Sequence, residues 1–274
     1  MIFTAERLDI TVQLDNGIRG NKVNSQIGKC MKYNKIVAVK YSVIDYPGQL
    51  CNVIFVKDCN FRCRYCYNCE LWDIPVGNSL ELDQDLKKRI LNFTEGKYTP
   101  CSAVCITGAE PLFQETLPEQ AAFIRFLEWL KANKILIKID TNGYFPNLLA
   151  DILSRKLVDY VAIDVKGTEQ QYPYITNSSM VDVSRIKHSI ELVKESGIEH
   201  EVRTTILPGI TQLEDFKEIN KIVAGCQRYY LQQFVWFEGI EDTTLKNISF
   251  HPAFLKQLFD KAKEELEVDQ VFIR

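Results

Sequence analysis

The 274-residue chain lacks most of the signals by which a function is commonly read. It has only three histidines, His188, His200 and His251, too scattered for a paired metal motif on one helix. No G-x-G-x-x-G follows a strand-like run and no G-x-x-x-x-G-K-[ST] is present, which removes the common dinucleotide and nucleotide-phosphate loops. Basic residues are not in excess: 33 Lys and Arg stand against 36 Asp and Glu, for a net charge of −3, so a nucleic-acid partner is not expected. No run of 18 apolar residues exists, so no membrane span is expected. The opening Met-Ile-Phe-Thr-Ala-Glu-Arg has no basic stretch leading into an apolar core, and no secretory signal is expected either. Repeats, low-complexity stretches and linkers are also missing, which predicts one domain over residues 36–274. Residues 1–35 are polar, broken by Gly17, Gly20 and Gly28, and are read as an N-terminal extension with a short hairpin over 10–14 and 35–41.

Cysteine, by contrast, is plentiful. There are nine, eight of them before residue 110. An odd count in a chain of this size does not suit a secreted disulfide scaffold, and the reading is a reducing, cytoplasmic setting. Three thiols fall within Cys59-Asn-Phe-Arg-Cys63-Arg-Tyr-Cys66, a C-x3-C-x2-C spacing that brings all three out of a single loop. Convergent thiolates select zinc or an iron–sulfur cluster. A structural zinc site draws two ligands from each of two separated knuckles, and no second knuckle follows here. A [4Fe–4S] cluster held by three cysteines, with one iron left open, fits better. Cys69 continues the run and is the alternative fourth ligand, which would close the cluster for electron transfer alone. Ferredoxin-like runs place Pro after the last cysteine; Glu70 stands there, so Cys69 is read as a non-ligand.

Around this loop the pattern is strand–helix alternation. Strand-like runs at 51–56, 103–107, 135–140, 160–165, 198–207 and 229–234 alternate with helical periodicity at 81–93, 119–133, 147–156, 184–196 and 212–224. A helix over 253–266 and a short strand over 271–274 follow. The class is α/β with a parallel sheet, and six core strands are too few for a closed eight-stranded barrel. Strand ends in such folds carry the site, and the residues there are polar or glycine. They are Thr107-Gly108-Ala109-Glu110-Pro111, Asp140-Thr141-Asn142-Gly143, Asp164-Val165-Lys166, Arg203, and Gln232. Each also has a plain alternative: a Gly-Pro turn, an Asx turn with a left-handed glycine, a surface ion pair, a surface arginine, and a sheet cap.

The cysteine loop resembles that of the radical S-adenosylmethionine (SAM) superfamily, and the strand-end motifs extend the resemblance. It implies an incomplete (β/α)6 barrel. It also implies a [4Fe–4S] cluster on Cys59, Cys63 and Cys66, whose open iron chelates SAM and whose electron cleaves the C–S bond. Oxygen damages such a cluster, so an anaerobic setting is expected. Gly108, Ala109 and Glu110 resemble the superfamily's G-G-E-P motif for the SAM amino group, with Ala109 replacing the second glycine. The resemblance gives Asp140, Thr141, Asn142, Asp164, Lys166, Arg203 and Gln232 to SAM or to ordering its site, and places Tyr65 beside the adenine. Ser42-x-x-Asp45-Tyr46-Pro47-Gly48 before the loop, and Cys66-Tyr67-Asn68 within it, resemble the activating proteins of anaerobic ribonucleoside-triphosphate reductase. A large glycyl-radical enzyme is then the implied partner, with flavodoxin or ferredoxin as electron donor. Two other readings stay open: a small-molecule radical SAM enzyme such as a 7-carboxy-7-deazaguanine synthase, and a closed-cluster or zinc-bound module.

Overall fold

A computed structural model describes residues 33–75, 77–92 and 101–274. The proposed hairpin over 10–14 lies outside them. Among the described residues, eight strands form one sheet in strict chain order, β1 to β8, with no pairing that closes it. They are β1 (Ile36–Tyr46), β2 (Gln49–Val56), β3 (Ala103–Gly108), β4 (Leu136–Thr141), β5 (Tyr160–Asp164), β6 (Glu199–Ile206), β7 (Arg228–Gln233) and β8 (Gln270–Ile273). Only β1 is antiparallel, to β2; every later pair is parallel. Strands β2 to β7 are the six expected, so the open (β/α)6 arrangement holds, with β8 added at the far edge.

One expectation changes. The Pro47–Gly48 pair in the stretch 41–48 reads as a turn, but β1 runs through to Tyr46 and only Pro47–Gly48 reverses the chain, with Gly48 at φ +72°. The strand expected over 35–41 is part of β1 and pairs with β2.

Alternation along the strands splits the sheet into two faces. Ile54, Val56, Val104, Ile106, Ile137, Ile139, Val161, Ile163 and Val202 turn to the helical side and share one core with α2 (Leu117–Ala132), α3 (Pro146–Ser154), α5 (Val183–Ser196), α6 (Asp215–Val223) and α7 (Pro252–Glu265). Local chemistry fixes the helix starts. Thr116 and Glu119 form a capping box on α2, and Asp83 accepts from Asp85 N and Leu86 N ahead of α1 (Gln84–Leu91). The opposite, concave face is apolar only at its lower end, where Cys51, Val53, Ala103, Cys105, Tyr160 and Ala162 pack with Tyr46. The β1–β2 hairpin closes that end: Lys138 Nζ donates to the Asp45 carbonyl at 2.6 Å. No helix among the described residues is long and apolar enough to cross a membrane.

Where β3 ends, Gly108 sits at φ +109°, and an added Cβ would stand 2.6 Å from Val56 O and 2.7 Å from Val56 N. Gly197, which ends α5 at φ +70°, has open space around it. Gly197→Ala should therefore cost about 1–2 kcal/mol, the left-handed penalty alone. Gly108→Ala should cost more than about 3 kcal/mol, because backbone on two strands must part. Urea denaturation of the two variants checks the difference.

Candidate active site

The cysteine loop leaves the carboxyl end of β2 and is held from several sides. Asp58 turns the chain at φ +69° and its carbonyl accepts from Glu110 N at 3.1 Å. Arg62 N and Arg64 N donate to the Thr176 and Ile175 carbonyls at the end of α4 (Tyr172–Thr176), a short helix with no sequence signal. Asn68 Nδ2 donates to the Gly108 carbonyl at 3.0 Å. Residues 234–245 then strap across the loop. Tyr67 Oη donates to the Val235 carbonyl and accepts from Val235 N, both at 2.9 Å. Tyr67 also stacks on Phe237, with centroids 5.5 Å apart. Arg64 Nε donates to Asp242 at 2.6 Å.

Tyr65 is buried with Ile175, Leu207, Phe234, Ile240 and Leu245, so it packs between loop and strap. Cys69, the first residue of a 3-10 turn (Cys69–Leu71), donates its thiol to the Gly239 carbonyl at 3.0 Å.

The three thiols differ in surroundings. Cys63 is buried, and Cys59 and Cys66 are half-buried. Cys59 Sγ accepts from Phe61 N at 3.3 Å and Cys66 Sγ from Asn68 N at 3.4 Å. Burial pushes all three thiols up, Cys66 to about 12, and the charges they place on one another raise Cys59 and Cys66 further. Among the described residues no three His, Cys, Asp or Glu side chains converge as ligands of a single ion. The fit to a cluster rests instead on the donor chemistry. Three thiols come from one loop, two of the sulfurs receive backbone N–H groups, and the set is costly to ionise without added positive charge. Iron supplies that charge, and hydrogen bonds to cluster sulfurs belong to such sites.

The two glycine-containing turns behind the loop are tied together by Glu110, which is 1% exposed. Its Oε1 accepts from Leu112 N at 2.9 Å and from Thr141 Oγ1 at 2.6 Å; Oε2 accepts from Asn142 N at 2.7 Å. Burial pushes this carboxyl up to about 7, against the three hydrogen bonds that favour the charged form. Ala109 keeps a negative φ, so its methyl group fits where the motif has glycine. Gly143 is left-handed at φ +74°, and Tyr144 N donates to Asn142 Oδ1, which completes the Asx turn.

The upper concave face is charged. Arg203 is 8% exposed. It donates through Nε to Asp164 at 2.7 Å and through a second nitrogen to Asp140 at 3.0 Å, and Asp164 is its register neighbour. Lys138 pairs with Asp140 at 2.8 Å and Lys166 with Asp164 at 3.2 Å. Burial opposes ionisation of both aspartates, yet the flanking cations outweigh it and hold them below the usual carboxylate range. Lys166 Nζ also lies 5.8 Å from the centre of the Tyr65 ring, which links this network to the cysteine loop.

Asp140, Thr141, Asn142, Asp164, Lys166, Arg203, Gly108, Ala109 and Glu110 thus meet around the carboxyl ends of the strands. Gln232 sits half-buried on β7 in register with Thr205, outside this network. Sequence reasoning missed Lys138 and Glu201. Glu201 is 3.7 Å from Arg203 and accepts from Tyr160 Oη at 2.9 Å. Period-two alternation could have found both, since they share a face with Asp140 and Arg203.

With this arrangement in place, a sequence profile of the Radical SAM superfamily matches residues 53–223. The chain belongs to that superfamily. It is 33% identical over 200 residues to the putative glycyl-radical enzyme activating enzyme MJ1227 of Methanocaldococcus jannaschii, covering 72% of this chain and 78% of that one. The pyruvate formate-lyase-activating enzyme of Clostridium pasteurianum is 29% identical over 229 residues, 82% of this chain and 91% of its own. Among solved structures, Streptococcus suis SuiB bound to precursor peptide SuiA superposes with a TM-score of 0.56 at 17% identity. That match covers 80% of this chain and 48% of SuiB, and it speaks for the fold alone. The radical SAM chain is accordingly an enzyme, and its relatives are of the activating type expected from the cysteine loop.

Two variants test the site. Arg203→Met leaves Asp140 and Asp164 without their shared cation and should cost about 3–5 kcal/mol in urea denaturation of the iron-free protein. Cys69→Ala should leave the iron content after reconstitution unchanged; loss of iron would make Cys69 a ligand.

Proposed function

We propose that this enzyme generates a glycyl radical on a partner protein. The observation that carries the reading is a three-cysteine loop over an open-sided half-barrel whose charged face leads to it. Beyond Cys105 the chain has only Cys226, which is buried in the helical core, so no auxiliary cluster is expected there. Cys59, Cys63 and Cys66 hold the [4Fe–4S] cluster. The Gly108–Glu110 turn and the Asp140–Asn142 turn, with Asp164, Lys166 and Arg203, bind and orient SAM. Tyr65 and the strap exclude water from the loop. Bound together, cluster and SAM supply a 5′-deoxyadenosyl radical. The open edge admits a peptide loop, and the hydrogen removed is the one on Cα of a single glycine. Protein groups contribute orientation and shielding.

The Ser42–Gly48 element and Cys66-Tyr67-Asn68 support anaerobic ribonucleoside-triphosphate reductase as partner. The longer match to a pyruvate formate-lyase-activating enzyme favours a lyase-type partner as the second reading. Flavodoxin or ferredoxin fits as electron donor, in the cytoplasm. The test mixes reduced, reconstituted enzyme and SAM with each of the two glycyl-radical proteins. A glycyl-radical EPR signal, with about one 5′-deoxyadenosine per radical, is the expected result on the reductase. A signal on the lyase alone would reassign the partner. SAM cleavage with no radical on either protein would point instead to a small-molecule substrate.

A further inference from the structure

The Asn60 amide leaves a buried donor unpaired at the thiol loop. Tyr144 N donates to Asn142 Oδ1 at 3.0 Å, which turns Asn142 Nδ2 toward Asn60, and Asn142 Nδ2 donates to Asn60 Oδ1 at 2.8 Å. The backbone bond therefore fixes both amides, because Asn60 must present its oxygen to Asn142. Asn60 Nδ2 is then buried with no hydrogen-bond partner among the described residues. A buried donor without a partner is rare in a folded protein unless a ligand completes it. Cys59 Sγ lies beside the pair, 4.0 Å from Asn142 Nδ2 and 3.9 Å from Asn60 Oδ1. Asn142 is in turn held by Glu110, through its backbone N–H.

We propose that Asn60 and Asn142 form a carboxamide bridge that positions Cys59, and that the free Asn60 N–H serves an anionic acceptor on the cluster held by that cysteine. A donor there stabilises the more negative, reduced cluster and so eases its reduction. Asn60 is a positioning residue in this account. The bridge also makes the Glu110 turn and the first cysteine move as one body, because Asp58 O, Glu110, Asn142 and Asn60 are linked without a gap. The inference rests on the cluster assigned above.

The test uses the reconstituted full chain. Asn60→Asp keeps the oxygen that Asn142 needs and replaces the N–H by an acceptor. Asn60→Ala removes the donor without adding charge. Asn142→Asp keeps the acceptor for Tyr144 N and loses the donor to Asn60. In all three, iron and sulfide content should match wild type. The ratio of reduced to oxidised cluster at a fixed donor potential should fall, at least tenfold in Asn60→Asp and severalfold in the other two. SAM affinity should stay within twofold in the two Asn60 variants. An unchanged reduced fraction in Asn60→Asp and Asn60→Ala would overturn the proposal. A tenfold weaker SAM affinity at unchanged reduction would overturn it too, by placing the acceptor on SAM. Wild-type protein that takes up no iron would instead defeat the cluster assignment itself.

Discussion

The carboxylate of Glu110 spends both oxygens inside the protein. It is buried, and it joins the turn after β3 to the turn after β4 through Leu112, Thr141 and Asn142. Its own backbone N–H reaches Asp58, where the cysteine loop begins. Three loops from three neighbouring strands are thereby fixed relative to one another by one residue, through its carboxylate and its backbone N–H. Burial makes that carboxylate expensive to ionise, and the cost is tolerable only because its hydrogen bonds come from fixed backbone and a neighbouring hydroxyl. The motif expectation gave Glu110 to the SAM amino group. In the structure its oxygens accept from Leu112 N, Thr141 Oγ1 and Asn142 N, while the Gly108 carbonyl accepts from Asn68 Nδ2 and Ala109 N donates to the Val56 carbonyl.

The second constraint is charge on a concave sheet face. Closed parallel barrels fill their interior with apolar layers, and the lower end here does the same around Tyr46 and Tyr160. Toward the carboxyl ends the face changes to Lys138, Asp140, Asp164, Lys166, Glu201 and Arg203. A chain of alternating charges of this kind contributes little net stability, since desolvation offsets attraction. It does keep a cation beside the thiol loop, with Lys166 Nζ 5.8 Å from the centre of the Tyr65 ring.

Much of this was legible in the sequence, and the reasons differ by element. Strands β2 to β5 announce themselves by apolar, β-branched runs, and the strand–helix alternation carries β6 and β7, whose residues are more polar. The cysteine spacing and the Asp140–Gly143 turn are local patterns, so they read directly. The strap over 234–245 does not, because its meaning lies in contacts about 170 residues away, such as Tyr67 with Val235 and Cys69 with Gly239. The short helix α4 is likewise defined by what its last carbonyls hold, Arg62 and Arg64. Asn60 gave no signal at all. An asparagine in a loop is ordinary, and only the fixed orientation of Asn142 shows that one of its donors is left over.

The central claim is that three cysteines, and not four, carry a cluster that binds SAM. EPR spectra of the anaerobically reconstituted, reduced protein, recorded with and without SAM, test it most directly. The expected result is a [4Fe–4S]⁺ signal whose line shape changes when SAM is added and which disappears when Cys59, Cys63 or Cys66 is replaced by Ala. A cluster signal indifferent to SAM, or a protein that retains zinc in place of iron, would contradict it.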